Sequence, residues 1–314
     1  SDELKQRSAI HDVNNVSCPM FIVHSWNDDL FEPNQILDFY RKLDVPKKLM
    51  MTNGIHGFDA GRGDMLVPNR IWDEARRWFD FWLKGEKGNG IDRDPAVSYY
   101  QPWDGRMVTC DEWPPENVRD VSYYMRGQHP DAINSGSLAT EPPGDHEAAE
   151  LFLNNTVSNL QSSGAPVLRW NVVKNMPIPG VPFSIPGDSI AFTGRPLERE
   201  LEIVGAPRVS LHMTSSTREC QVNGLLYDVS PRGFCRLVTH CAAMRDDMVP
   251  DAIEEFYFDL IACAHRFPVG HSVRLVICAS DPLYVFPSLV PSSYRLFHTA
   301  ENPSCLTLPV AQGA

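Results

Sequence analysis

Apolar positions follow two different periods along the chain, and the change between them divides it. Pro19-Met20-Phe21-Ile22-Val23 is a short continuous apolar run, which suits a strand covered on both faces. Pro33 then opens a stretch in which Ile36, Leu37, Phe39, Tyr40 and Leu43 recur at helical spacing, and Pro46 ends it. Lys47 to Thr52 reads as a second strand. From Pro68 a second helix places Ile71, Ala75, Trp78, Phe79 and Trp82 on one expected core face and stops at Lys84-Gly85. Strand, helix, strand, helix is the repeating unit of a parallel sheet, and two strands are too few to complete one.

A polar stretch from Glu86 to Asp94, with Gly88, Asn89, Gly90 and Asp92, places a domain boundary near residue 92. Beyond it the apolar residues come in short β-type runs: Val97 to Tyr100, Val121 to Met125, Leu201 to Val204, Arg208 to Met213, Gly224 to Val229, Arg236 to His240, Glu255 to Ile261 and Ser272 to Ala279. Turns bearing Gly and Pro separate them, a pattern that predicts an antiparallel sandwich or jelly roll. The stretch from about Gly127 to Pro186, rich in Ser, Asn, Pro and Gly, is expected to be a long irregular excursion. The fold class read from this pattern is α/β plus all-β, with residues 1–92 forming the first domain and 93–314 the second.

Length and composition fit that division, since 314 residues with 43% apolar content suffice for two cores. The net charge of -12, from 40 acidic and 28 basic residues, disfavours nucleic acid and anionic membrane surfaces as partners. No apolar run approaches the roughly 18 residues of a membrane-spanning helix, and the opening residues Ser1 to Lys5 do not read as a signal peptide. Eight cysteines occur without any Cys-x-x-Cys, so neither a zinc knuckle nor a disulfide scaffold is expected. Buried free thiols in a reducing, cytoplasmic compartment are the expectation.

The candidate chemistry sits at the ends of the two parallel-type strands. Asp28 follows the first and His56 follows the second, the order in which the acid and histidine of an α/β-hydrolase triad occur. Such a histidine takes a proton from a serine hydroxyl and returns it to the leaving group, while the carboxylate fixes the ring tautomer and stabilises the imidazolium. Each residue alone also has a plain reading, because Asn27-Asp28-Asp29 makes a turn and Asn53-Gly54-Ile55-His56-Gly57 a glycine-bearing loop. His24, within the strand, reads as a hydrogen-bonded core histidine.

The run from Cys18 to Asp28 resembles the "Pro-apolar strand-Gly-Trp-x-Asp" signature of the cocaine esterase and X-prolyl dipeptidyl aminopeptidase family of serine hydrolases. Leu49 to Gly57 resembles that family's strand and histidine loop, and Arg77 to Gly85 its "Trp-Phe-Asp-x-Trp-Leu-Lys-Gly" helix. Similar matches continue through Trp113-Pro114-Pro115, Phe192 to Leu197, Ile203 to Pro207, Tyr227 to Gly233 and Phe267 to Leu275. The resemblance implies that Asp28 is the triad acid and His56 the base, and that no metal or organic cofactor is required. It implies a small ester or peptide substrate, with Trp26, Leu30 and Phe31 as candidate pocket residues. It also implies the carboxyl-terminal part of an α/β-hydrolase sheet followed by a jelly-roll β-sandwich. The chain departs from the signature at Ser25, where the family has glycine, and at Asp29-Leu30.

The family's nucleophile lies on a Gly-x-Ser-x-Gly turn upstream of the acid, and this sequence contains no such turn. Without the serine and its oxyanion-hole donors, acid and base alone cannot perform acyl transfer. The chain is therefore expected to be inactive alone and to pair with an amino-terminal half of the hydrolase domain or to self-associate through residues 18–85. The alternative is a non-catalytic jelly-roll binding protein, with Trp103, Trp113, Tyr123 and Tyr124 as candidates for stacking on sugar rings.

Overall fold

The computed structural model describes residues 8–28, 31–54, 69–127, 135–144, 150–153, 178–179, 189–279, 288 and 290–313. After a short 3-10 helix (Ala9–Asn15), strand β1 (Met20–Ser25), helix α1 (Pro33–Lys42), strand β2 (Lys47–Thr52) and helix α2 (Arg70–Trp82) follow in order. β1 and β2 pair in parallel, with Met20 opposite Lys47 and Ser25 opposite Thr52. Two further strands, β3 (Val97–Tyr100) and β4 (Met107–Cys110), complete a four-stranded sheet of order β1-β2-β3-β4. β3 is parallel to β2, and β4 is antiparallel to β3.

This sheet resolves the shortage of strands and moves the expected division. The chain separates into two compact units, one of residues Ser1–Val118 with Ala262–His265 and Gly313, the other of the remainder. Val97 to Tyr100 therefore belongs with the first sheet and not with the β-rich region beyond a boundary at 92. The reason is the ladder that bonds Leu49 to Val97 and Met51 to Tyr99, which makes β2 a central strand. Lys48 to Thr52 are all buried, as expected of a strand covered on both faces.

α1 begins with Pro33 at its first turn and buries Pro33, Leu37 and Tyr40. Its carboxyl end is held by the Lys47 ammonium, which donates to the carbonyls of Tyr40 at 2.9 Å and Leu43 at 2.7 Å. α2 is capped by Asn69, whose side chain accepts from the Ile71 N–H. It buries Trp78 and Phe81 against Ile91, with Phe21 and Trp82 packed alongside. Phe79, expected on that face, is instead 53% exposed. Positions 79 and 81 lie about 160° apart around a helix, so the side that buries Phe81 turns Phe79 to solvent.

The second unit is almost entirely strand. β5 (Val118–Arg126), β6 (Ser135–Ala139), β7 (Glu150–Leu153), β8 (Ile178–Pro179), β9 (Ser189–Gly194), β10 (Leu201–Gly205) and β11 (Arg208–Ser215) come first. β12 (Cys220–Val229), β13 (Phe234–Arg245), β14 (Glu254–Asp259), β15 (Cys263–Phe267, of which Cys263 to His265 count with the first unit), β16 (Ser272–Cys278), β17 (Ser293–Phe297) and β18 (Cys305–Ala311) follow. Together they form one 14-stranded sheet system, in which β6 runs parallel to β9 while pairs such as β12–β13, β12–β16 and β11–β14 are antiparallel. β6, β7 and β8 interrupt the excursion expected between 127 and 186. Every residue of β12 is buried, and the hydrophobic cluster on one face of β12, β13 and β16 includes Leu225, Tyr227, Val229, Leu237 and Val276.

Candidate active site

The loop that follows β1 is held at the carboxyl end of two parallel strands. Trp26 N–H donates to the Thr52 carbonyl at 2.9 Å and so extends the ladder one residue past the last paired position of β1. At the family's glycine position, the buried Ser25 hydroxyl bonds the Thr52 hydroxyl at 3.0 Å. The hydroxyl pair gives the larger side chain a partner, which explains how serine is accommodated there.

Asp28 is buried at 5% exposure. One carboxylate oxygen accepts the Phe31 N–H at 2.9 Å, a local bond that closes the turn. A His24 ring nitrogen donates to the Phe31 carbonyl at 2.8 Å, so both ends of the Phe31 backbone are fixed. His24 is thus hydrogen-bonded, as read from the sequence, but only half-buried. His56 and Leu30 lie outside the described residues. The last described positions before His56 are Asn53 and Gly54, and Asn53 accepts the Asn27 side-chain amide.

The pocket candidates divide by exposure. Trp26 is 2% exposed, its indole N–H donates to the Tyr100 carbonyl at 3.0 Å, and its ring lies 5.9 Å from that of Trp113. That is the environment of a packing residue beneath the loop. Phe31 is 60% exposed and stands at the loop surface. Trp113 also lies 6.3 Å from Tyr99, edge to face. Trp113 thus packs against two rings of the first unit.

An acid–histidine contact lies in the other unit, in segments whose chemistry was not anticipated from the sequence. The Asp228 carboxylate bonds His271 Nδ1 at 2.7 Å, and the aspartate side chain is 2% exposed. Asp228 is on β12, and His271 ends the turn that leads into β16, whose Val273 pairs with Asp228. The contact ties adjacent antiparallel strands at their ends. Among the described residues no group of three or more His, Cys, Asp or Glu is placed to hold a metal ion, and no helix is long and apolar enough to cross a membrane. None of the eight cysteines forms a disulfide with another.

Comparison with known proteins adds to this geometry. The family described as the X-Pro dipeptidyl-peptidase C-terminal non-catalytic domain matches residues 89–302. The X-Pro dipeptidyl-peptidase S15 family matches residues 1–58, the span that holds Asp28 and His56. A Mycobacterium bovis protein provisionally named a serine esterase is 26% identical over 275 residues, covering 76% of this chain and 41% of its own. A Bacillus anthracis protein provisionally named an Xaa-Pro dipeptidyl-peptidase is 22% identical over 301 residues, covering 90% of this chain and 44% of its own. The chain thus spans less than half the length of these curated relatives. Among solved structures, a Staphylococcus aureus hydrolase of the CocE/NonD family superposes with a TM-score of 0.73 at 13% identity, over 99% of this chain and 57% of its own. At that identity the likeness is one of fold.

Proposed function

Because the chain belongs to the X-Pro dipeptidyl-peptidase family, we propose that it is the carboxyl-terminal part of a serine hydrolase that cleaves ester or amide bonds through an acyl-enzyme. In this reading Asp28 is the acid that orients His56, and His56 is the general base and acid. The serine and its oxyanion hole come from sequence outside this chain. The first sheet is the carboxyl-terminal end of an α/β-hydrolase sheet, and the second unit is its jelly-roll, non-catalytic domain.

The observation that carries the proposal is the placement of Asp28. A buried carboxylate stands just past β1, and the strand paired in parallel beside it leads in sequence to His56. Adjacent parallel strands lie about 4.8 Å apart, so loops leaving the same ends can bring an acid and a histidine within hydrogen-bonding reach. The sheet order also supports a partner: β1 lies at the edge and pairs only with β2 among the described strands. An apolar parallel edge strand is the natural place for further strands to add.

The experiment is active-site labelling with a fluorophosphonate. The 314-residue chain alone is expected to take up no label and to leave p-nitrophenyl esters intact. Co-expression with the upstream half of the relatives' length is expected to restore labelling, on a serine of that half. Stoichiometric labelling of a serine within this chain would overturn the proposal.

A further inference from the structure

Asn27 fills the variable position between the motif's tryptophan and its acid, and its side chain crosses from one loop to the other. Its amide nitrogen donates to the Asn53 backbone carbonyl and to Asn53 Oδ1, each at 3.2 Å. Asn27 immediately precedes Asp28, and Asn53 stands in the segment that leads to His56. The Trp26 N–H and the Ser25 hydroxyl, by contrast, both reach Thr52, the last residue of β2. Those two contacts align the strands, while the Asn27 amide reaches one residue past the β2 end, into the loop itself.

We propose that Asn27 is a positioning residue that holds the loop bearing Asp28 against the loop leading to His56. The inference rests on the reading of Asp28 and His56 as triad acid and base. One nitrogen within reach of both a backbone and a side-chain oxygen of the same residue ties the two loops at a set separation. Asp28 is locked within its own turn by the Phe31 N–H. The Asn27 amide adds a tie between the two loops themselves, one residue before the proposed acid. Orientation matters because the carboxylate acts through the imidazole's tautomer and direction.

The test uses the 314-residue chain labelled at histidine, with ring titration followed by NMR and the His56 signal identified by its loss in His56→Gln. Asp28→Asn is expected to lower the His56 pKa by about one pH unit, because an opposite charge nearby favours the imidazolium. Asn27→Leu, similar in shape but without a donor, and the smaller Asn27→Ala are each expected to lower it by at least half as much. The other histidines are expected to titrate as before. A purely structural role would lower the melting temperature and leave the His56 titration in place, and that result overturns the positioning role. If Asp28→Asn also leaves His56 unmoved, the acid–base reading itself is overturned and the positioning role falls with it.

Discussion

Replacing Trp26 with phenylalanine is expected to cost about 2 to 3 kcal/mol of stability, and the size of that loss separates packing from substrate contact. The indole is 2% exposed and donates to the Tyr100 carbonyl at 3.0 Å. Phenylalanine lacks the donor, and losing one part-buried neutral hydrogen bond costs about 1 kcal/mol. It also lacks part of the ring surface packed near Trp113. That loss amounts to about two methylene equivalents at about 0.8 kcal/mol each, less what the site recovers by collapsing. Urea unfolding followed by near-ultraviolet circular dichroism measures the sum. Two compact units permit two transitions, so the loss is read in whichever step the substitution moves, with its urea dependence unchanged. Trp26→Ala should cost more, about 3 to 5 kcal/mol. A loss for Trp26→Phe below about 0.5 kcal/mol, the range of surface substitutions, would refute the packing account.

Other expectations follow from burial and charge. Phe81→Ala should destabilise by about 3 to 4 kcal/mol and Phe79→Ala by less than about 1, because Phe81 is 6% exposed and Phe79 is 53% exposed; equal losses in urea unfolding would contradict the assigned helix face. At about pH 8, iodoacetamide should modify the exposed Cys18 and spare Cys220, whose thiol is pushed up to about 12 by burial, until urea is added. Peptide mass mapping checks this, and comparable native labelling of the two would count against it. Lys48 is 5% exposed, its ammonium donates to the Pro95 carbonyl at 2.8 Å, and burial holds its pKa below the usual 10.5. The folded state then releases this proton before the unfolded state does, so stability rises with pH between the two pKa values. Relative to Lys48→Met, the wild type should gain stability as pH rises toward 10.5, and a gap that stays constant or narrows would exclude the effect.

The first sheet was legible in part because its strands and helices differ in period. The run ending at Val23 and the helical spacing after Pro33 each have one reading, and the structure forms β1 over Met20–Ser25 and α1 over Pro33–Lys42. Membership of β3 was not legible, because Val97-Ser98-Tyr99-Tyr100 carries no mark of which sheet it joins. That choice is made by β2, which is buried on both faces and needs a strand on its second edge. β18 was missed because Pro309 lies inside it, and proline weakens any strand signal. β6 was missed because Gly136 does the same. An added Cβ there would come within 2.6 Å of the Phe192 ring, so the close approach of β9 demands the residue that hides the strand.

Residue types nominate Asp28 as the proposed acid, but not what holds its loop. Asp28 is recognisable because an acid after an apolar strand, followed by a histidine after the next, has a chemical reason to exist. Asn27 has none when read alone, since an asparagine before an aspartate is an ordinary turn former. Its contribution comes from the register that puts Ser25 opposite Thr52, because only then does an amide one residue before the acid face Asn53. A shift of one residue between β1 and β2 would turn every side chain to the other face and carry Asn27 away from that carbonyl. The side chains that carry chemistry are thus chosen by identity, while those that orient them are chosen by register, a property of two strands together. Asp28 could therefore be nominated from one segment of sequence, whereas Asn27 required the paired strands to be in place.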